Sequence, residues 1–67
     1  MNQEKIGKFI LECRKQKNLT QEQLSEILGV SSKSISRWEN GKSLPDYTIL
    51  ESLCNALEFS INEFYYG

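Results

Sequence analysis

Four polar residues would share one side of a helix in the middle of the chain, given about 100° between successive residues: Lys33, Ser36, Arg37 and Asn40. Ile35 and Trp38 would fall on the opposite side, together with Ser31. Ser32 lies at the edge of the polar set, near the helix start. Ammonium, guanidinium, hydroxyl and amide groups are all hydrogen-bond donors. The outer side of this helix is therefore suited to bind a group rich in acceptors; the alternative is an ordinary solvated surface.

Residue types that support catalysis or metal binding are scarce. There is no histidine, and Cys13 and Cys54 have no close partner at a metal-ligating spacing. Both cysteines fall within apolar helical patterns, which favours small core residues over a disulfide. Glu22 and Glu26 are spaced i, i+4, as expected of a solvent-exposed pair on a helix. We therefore predict no enzymatic activity, no metal site and no cofactor.

The length of 67 residues predicts one small domain over residues 1–67. A chain of this size buries about 60% of its unfolded surface, so its stability is expected to be modest. No apolar run approaches the roughly 20 residues of a membrane-spanning helix. The start, MNQEKIGKF, lacks the basic and apolar regions of a signal peptide. We therefore expect a cytoplasmic protein with no membrane span in this segment.

The two halves of the chain differ in charge. Residues 1–42 contain all eight Lys and Arg residues and five Glu residues, so their net charge is +3. Residues 43–67 contain four acidic residues and no basic one, so their net charge is −4. Such asymmetry favours a polyanion-binding side in the first half, even though the whole chain carries only −1.

Five helices are predicted, each beginning at a residue that can cap it: Asn2, Thr20, Ser31, Asp46 and Ser60. Capping boxes are expected for Thr20 with Gln23 and for Ser60 with Glu63. No segment alternates with period two, so no strand is expected.

Apolar residues recur at helical spacing in each predicted helix. They are Ile6, Phe9, Ile10 and Cys13 in the first, Leu24, Ile27 and Leu28 in the second, Ile35 and Trp38 in the third, Ile49, Leu50, Leu53, Cys54 and Leu57 in the fourth, and Ile61 and Phe64 in the fifth. Gly29, Gly41 and Asn18 can adopt the left-handed conformation that ends a helix. Glu58 stands where such a residue is expected, so the fourth helix either holds a strained glutamate or ends differently.

Three segments resemble the lambda-repressor-like helix-turn-helix family, the phage repressor and Cro (XRE) group: RKQKNLTQEQLSEILGVS, SISRWENGKSLPD and LESLCNALEFSINEF. The resemblance covers nearly the whole chain. It implies an all-α, compact five-helix domain with the helix-turn-helix at about residues 20–39. It also implies binding to double-stranded operator DNA, commonly as a homodimer, in a transcriptional regulator that is most often a repressor. Asn18 and Glu58 depart from the family, which often has glycine at these positions.

The resemblance assigns roles to particular residues. DNA base contacts are expected from the start and outer side of the third helix: Ser32, Lys33, Ser36 and Arg37. Arg37 can form a bidentate pair with guanine, while Lys33 can bind guanine or a phosphate. Phosphate contacts are expected from Gln21, Asn40 and Lys42. For Gln21 the alternative is a helix-capping role, and for Asn40 it is a residue that ends the helix.

Arg14 and Glu39 correspond to an arginine and a glutamate that form a partly buried ion pair in the family. We predict the same pair here, joining the first helix to the end of the third. The alternative is two solvated charges.

Self-association is expected at the fifth helix and the tail, through Ile61, Phe64, Tyr65 and Tyr66. The alternative is that these residues close the core or contact a further segment. A second interpretation of the whole domain is a protein-interaction or antitoxin module built on the same fold. Such a module would tend to expose apolar residues on the third helix, where this chain has polar ones.

Overall fold

The computed structural model describes residues 2–66, and the side chains of all of these except Ile61, Tyr65 and Tyr66. The described residues form five helices: α1 (Gln3–Gln16), α2 (Gln21–Leu28), α3 (Ser32–Glu39), α4 (Tyr47–Leu57) and α5 (Ile61–Tyr66). They contain no strand, which confirms the prediction of an all-α, five-helix fold. None of these helices is both long and apolar enough to cross a membrane.

Side chains cap four of the helices as the sequence predicts. Asn2 accepts hydrogen bonds from the amides of Glu4 and Lys5 and begins α1. Thr20 and Gln23 form a reciprocal capping box at α2. The Ser31 hydroxyl accepts from the amide of the third residue of α3. At α5, Ser60 and Glu63 form the expected reciprocal capping box, with both hydrogen bonds at 3.1 Å. These bonds satisfy amides that have no partner within the helix.

The start of α4 differs from the prediction, because the Asp46 side chain makes no capping hydrogen bond. The backbone carbonyl of Asp46 begins the helix instead, accepting from the amides of Ile49 and Leu50 at 3.0 and 2.9 Å. Asp46 is exposed, so its carboxylate remains in solvent. The prediction that Asp46 caps α4 through its side chain is therefore wrong.

One apolar core lies between the helices, with residues from all five elements or the turns beside them: Ile6, Ile10, Leu24, Leu28, Ile35, Trp38, Leu50, Leu53, Leu57, Phe59 and Phe64. The prediction that Ile27 lines the core side of α2 is wrong, because 57% of this residue is exposed. Leu24 and Leu28 fill the core-facing side of the short α2, and Ile27 faces outward.

Cys13 and Cys54 are partly buried free thiols that pack against this core, as expected. Burial raises the pKa of both thiols, and nearby carboxylates add to the effect: Glu63 and Glu12 for Cys13, and Glu51 for Cys54. A raised pKa keeps the thiols protonated at neutral pH, where the thiolate is the reactive form.

The fifth helix contributes to the core through Phe64, which is only 3% exposed. Its ring stacks on Phe59 with centroids 5.9 Å apart, and Phe59 meets Phe9 of α1 edge-on at 5.0 Å. Phe64 therefore closes the core, which was the alternative interpretation of this residue, and its apolar surface is used within the chain. Ile61, Tyr65 and Tyr66 were expected at the same surface, but their side chains lie outside the part of the chain that the structure describes.

Helices α1 and α3 cross with unusually close backbones at Gly7. A Cβ added to Gly7 would lie 2.1 Å from the Trp38 carbonyl oxygen and 2.9 Å from that of Glu39. Both obstacles are backbone atoms at the end of α3, so no side chain can move aside. Glycine at this position therefore sets how closely α1 supports α3.

We expect Gly7→Ala to destabilise the domain by about 3 kcal/mol, the upper part of the range for overpacked cores. Lys8→Ala, at the exposed neighbouring position, is the matched control and should change stability by less than about 0.5 kcal/mol. Urea unfolding followed by circular dichroism measures both. A Gly7→Ala variant as stable as the wild type would contradict the close approach.

Glu58 ends α4 in the left-handed conformation, with φ at 58°. For a residue with a side chain this conformation costs about 1 kcal/mol. The Glu58 carboxylate pairs with the Lys17 ammonium across the molecule, but both side chains are substantially exposed. An exposed pair contributes about 0–1 kcal/mol, so it offsets the strain only in part.

We expect Glu58→Gly to stabilise the domain by nearly 1 kcal/mol and to raise Tm by about 4 °C. Lys17→Ala removes the same ion pair without changing the backbone at residue 58, and it should leave Tm unchanged or slightly lower. Comparing the Tm values of the two variants separates the effect of backbone strain at residue 58 from the effect of the ion pair. A lower Tm for Glu58→Gly would show that the ion pair outweighs the strain.

Candidate nucleic-acid interface

A tight turn joins α2 to α3. Gly29 ends α2 in the left-handed conformation with φ at 72°, and its amide donates to the Ser25 carbonyl at 2.8 Å. The Val30 amide donates to the same carbonyl at 3.1 Å. Ser31 then begins α3, so only two residues separate the last residue of α2 from the cap of the next helix.

Helix α3 is fixed by its apolar side and open on its polar side. Ile35 is fully buried and Trp38 is 5% exposed, as their spacing predicts. Lys33 and Arg37 are exposed on the outer side. Their side chains form no hydrogen bond or ion pair with any residue in the described part of the chain. Two cations are thus held on a rigid helix with their donors unused.

The two serines of the same side lie deeper than the cations. Ser32 and Ser36 are both partly buried, so their short hydroxyls sit closer to the helix surface than the charged groups do. The outer side of α3 therefore places four hydrogen-bonding side chains together, as the helical spacing predicts. Whether they touch DNA bases stays a prediction.

The loop after α3 is held by its own backbone. The Lys42 amide donates to the Arg37 carbonyl at 2.8 Å, and the Gly41 amide donates to the Trp38 carbonyl at 3.1 Å. This pattern is a Schellman motif. It places the exposed side chain of Lys42 next to the last turn of α3, with no hydrogen bond or ion pair to any described residue.

Asn40 ends α3 and uses its side chain for that purpose. Its Nδ2 donates to the Ser36 carbonyl at 2.8 Å and lies 3.3 Å from the Ser36 hydroxyl. The helix-ending interpretation of Asn40 therefore describes its contacts in the free chain. A phosphate contact by Asn40 remains a prediction that would need one of these donors to be released.

A nearly buried carboxylate, that of Glu39 in the last turn of α3, joins three helices. Arg14 of α1 donates from Nε to Glu39 Oε2 at 2.7 Å and from Nη2 to Glu39 Oε1 at 3.1 Å. Arg14 Nη1 also donates to the Leu19 carbonyl at 2.7 Å. The two charged side chains are 11% and 4% exposed. The ion pair expected between Arg14 and Glu39 is thus present, with bidentate geometry.

Gln21, the first residue of α2, is the third member of this network. Its Nε2 donates to Glu39 Oε1 at 2.9 Å. Sequence reasoning placed Gln21 at a phosphate and did not foresee this contact. The two residues lie 18 positions apart, and no local spacing indicates that they meet. We call Arg14, Gln21 and Glu39 the carboxylate network.

Residues 10–64 match the helix-turn-helix family. The chain belongs to the XRE-type helix-turn-helix family of DNA-binding regulators. Within that family it is similar to a helix-turn-helix transcriptional activator, BcrR of Enterococcus faecalis, with 43% identity over 56 residues. It is also similar to RstR, the cryptic phage CTXphi transcriptional repressor of Vibrio cholerae, with 37% identity over 59 residues.

A solved structure of this helix-turn-helix family shows the same fold. The crystal structure of ClgR, the clp gene regulator from Corynebacterium glutamicum, superimposes with a TM-score of 0.85 and 28% identity, covering 96% of this chain and 68% of that one. The two sequence relatives are longer: the matched residues are 84% of this chain but 28% of BcrR, and 88% of this chain but 53% of RstR. These relatives are named as transcription regulators, not as enzymes.

The carboxylate network predicts an asymmetry between two glutamates. Glu39→Ala leaves the guanidinium of Arg14 nearly buried without its partner, which should cost about 3–5 kcal/mol. Glu22→Ala removes an exposed carboxylate in the first turn of α2 and should cost less than about 1 kcal/mol. Thermal unfolding of both variants measures the difference. Equal melting temperatures would mean that the ion pair contributes nothing.

Proposed function

We propose that this domain is a sequence-specific regulator of transcription that reads the major groove of double-stranded DNA with α3. The observation that carries the proposal is the pair of exposed cations, Lys33 and Arg37, without a partner in the described chain, on a helix anchored by buried Ile35 and Trp38. In helix-turn-helix proteins the second helix enters the major groove and its N-terminal residues contact base edges. A DNA-binding role is consistent with the cytoplasmic location expected from the sequence.

Base discrimination rests chiefly on Arg37 in this proposal. A guanidinium can donate two parallel hydrogen bonds to guanine O6 and N7, which is worth about 1–3 kcal/mol of discrimination. Lys33 would bind guanine or a phosphate, and Ser32 and Ser36 would pair with several bases. The sequence preference is therefore expected to be strongest at the base pair that Arg37 reaches.

Affinity without sequence preference rests on Gln21, Asn40 and Lys42. Gln21 lies at the start of α2, where unpaired amides and the positive end of the helix dipole favour a phosphate. Lys42 follows α3 with an exposed ammonium. Such contacts orient a protein on the duplex and make binding depend on salt, but carry no sequence information.

We also propose that two copies bind one operator. One domain of this size offers few phosphate contacts, whereas a homodimer reads two half-sites about one helical turn apart. Phe64 is buried within the chain, so a dimer interface at α5 would have to use other residues of that helix. Repression is the proposed outcome, since a bound dimer blocks the DNA it covers without any further contact.

The alternative, a protein-interaction or antitoxin module, would place apolar side chains on the outer side of α3. The large exposed apolar residues of the described chain are instead Ile27 in α2 and Tyr47 in α4. The polar outer side of α3 therefore favours DNA over a protein partner.

Arg37→Ala and Lys42→Ala should separate the two kinds of contact. Duplexes selected from a random library provide the specific site, and a scrambled duplex of equal length provides the nonspecific one. Arg37→Ala should weaken specific binding by about 1–3 kcal/mol and relax the preference at one base position. Lys42→Ala should weaken binding to both duplexes alike and reduce the salt slope by about 1. Fluorescence anisotropy at several salt concentrations measures both effects.

Lys8→Ala is the matched control, an exposed lysine on α1 beside Phe9, which packs against Phe59. It should change neither specificity nor affinity by more than about twofold, which is about 0.4 kcal/mol. If Arg37→Ala reduced affinity for the two duplexes equally, α3 would not read bases. If no duplex were enriched from the library at any salt concentration, the proposed function would be wrong.

A further inference from the structure

The side-chain amide of Gln21 is held in one orientation by Glu39. The Gln21 Nε2 donates to Glu39 Oε1 at 2.9 Å, and that oxygen also accepts from Arg14 Nη2. An ionised carboxylate can only accept hydrogen bonds. The amide nitrogen of Gln21 must therefore face Glu39, because the amide oxygen in that place would meet a second acceptor. The amide cannot be flipped without breaking the contact.

The same amide has a second N–H group. Among the described residues, no hydrogen bond other than that to Glu39 involves the Gln21 side chain. Gln21 is the first residue of α2, and the Thr20 hydroxyl caps the amide of Gln23 rather than that of Gln21. The backbone amide of Gln21 and its second side-chain N–H are thus both donors near the positive end of α2, which favours an anion.

The carboxylate itself is anchored from the opposite side. Arg14 donates to both oxygens of Glu39 and to the Leu19 carbonyl, in the turn that leads into α2. With 4% of its side chain exposed, Glu39 has little access to solvent and none of the freedom of a surface glutamate. Its negative charge is balanced by Arg14, so a nearby phosphate meets a donor on Gln21 rather than an unpaired carboxylate.

We propose that Glu39 is a positioning residue for DNA binding, which acts through Gln21 by aiming one side-chain N–H at a backbone phosphate. The inference rests on the proposed function and deepens it. It gives the buried carboxylate a second role besides the ion pair with Arg14. A glutamine that is already ordered in the free protein loses less side-chain freedom when DNA binds, which is worth about two- to tenfold in affinity.

A double-mutant cycle separates this role from a purely structural one. Glu39→Asp keeps the negative charge but shortens the side chain by one methylene, so the carboxylate withdraws from Gln21. The selected duplex is titrated with wild type, Glu39→Asp, Gln21→Ala and the double variant, at temperatures where circular dichroism shows each to be folded. Glu39→Asp should weaken binding about two- to tenfold in the wild-type background and less than about twofold in the Gln21→Ala background.

The salt slope of DNA binding and the Tm of the same four proteins provide two further tests. Gln21→Ala should leave the salt slope close to that of the wild type, because a neutral amide displaces no counterion from the phosphate, and adding Glu39→Asp should not change the slope. Most of the loss of Tm caused by Glu39→Asp should persist in the Gln21→Ala background, because Arg14 makes two of the three hydrogen bonds to Glu39 and carries the charge. If Glu39→Asp instead weakened DNA binding equally in both backgrounds, Glu39 would have only a structural role and the proposal would be overturned.

Wild-type protein provides a test that does not depend on a stable variant. In ¹⁵N–¹H spectra of the free protein, the Gln21 side-chain amide proton that faces Glu39 should exchange slowly with solvent, while the other exchanges fast. Adding the selected duplex should shift the other. Amide protons that exchange freely and do not respond to a bound duplex would overturn the positioning role while leaving DNA binding intact. Failure of the wild type to bind any duplex would overturn both.

Discussion

The Glu39 carboxylate is where the ends of three helices meet, and the orientation of α3 depends on it. Arg14 comes from the last turn of α1, Gln21 from the first turn of α2, and Glu39 is the last residue of α3. All three side chains converge within hydrogen-bond distance. A nearly buried carboxylate must keep its partners, because an unpaired charge away from water is costly. This requirement fixes the relative placement of the helices more strictly than apolar packing alone.

Close backbone contact at Gly7 supplies the second constraint on α3. The carbonyls of Trp38 and Glu39 lie against α1 where no Cβ could fit, so the end of α3 rests on a rigid backbone surface. Apolar packing of Ile35 and Trp38 then fixes the rotation of the helix. Together these contacts use the inner side of α3 completely and leave its outer cations unpaired. That division is what allows a domain with a net charge of −1 to present a cationic helix.

Local sequence patterns predict the helices and the inner side of α3, because capping and helical spacing are properties of neighbouring residues. They do not predict that Ile27 is exposed, and they leave open whether Phe64 closes the core or lies at a surface, since both depend on how many helices surround each position. The contact between Gln21 and Glu39 and the close approach at Gly7 are likewise tertiary features. The ion pair between Arg14 and Glu39 was expected only through the family resemblance, not from spacing.

Whether the outer side of α3 binds DNA can be measured by mapping the backbone amides of ¹⁵N-labelled protein with a selected duplex. We expect the largest chemical-shift changes at the α3 amides from Ser32 to Arg37, with further changes at Gln21 and Lys42. The amides on the exposed side of α4, such as that of Glu51, should respond least. Changes confined to α4 and α5, with α3 unaffected, would show that α3 does not bind DNA and that this fold binds its partner through another surface.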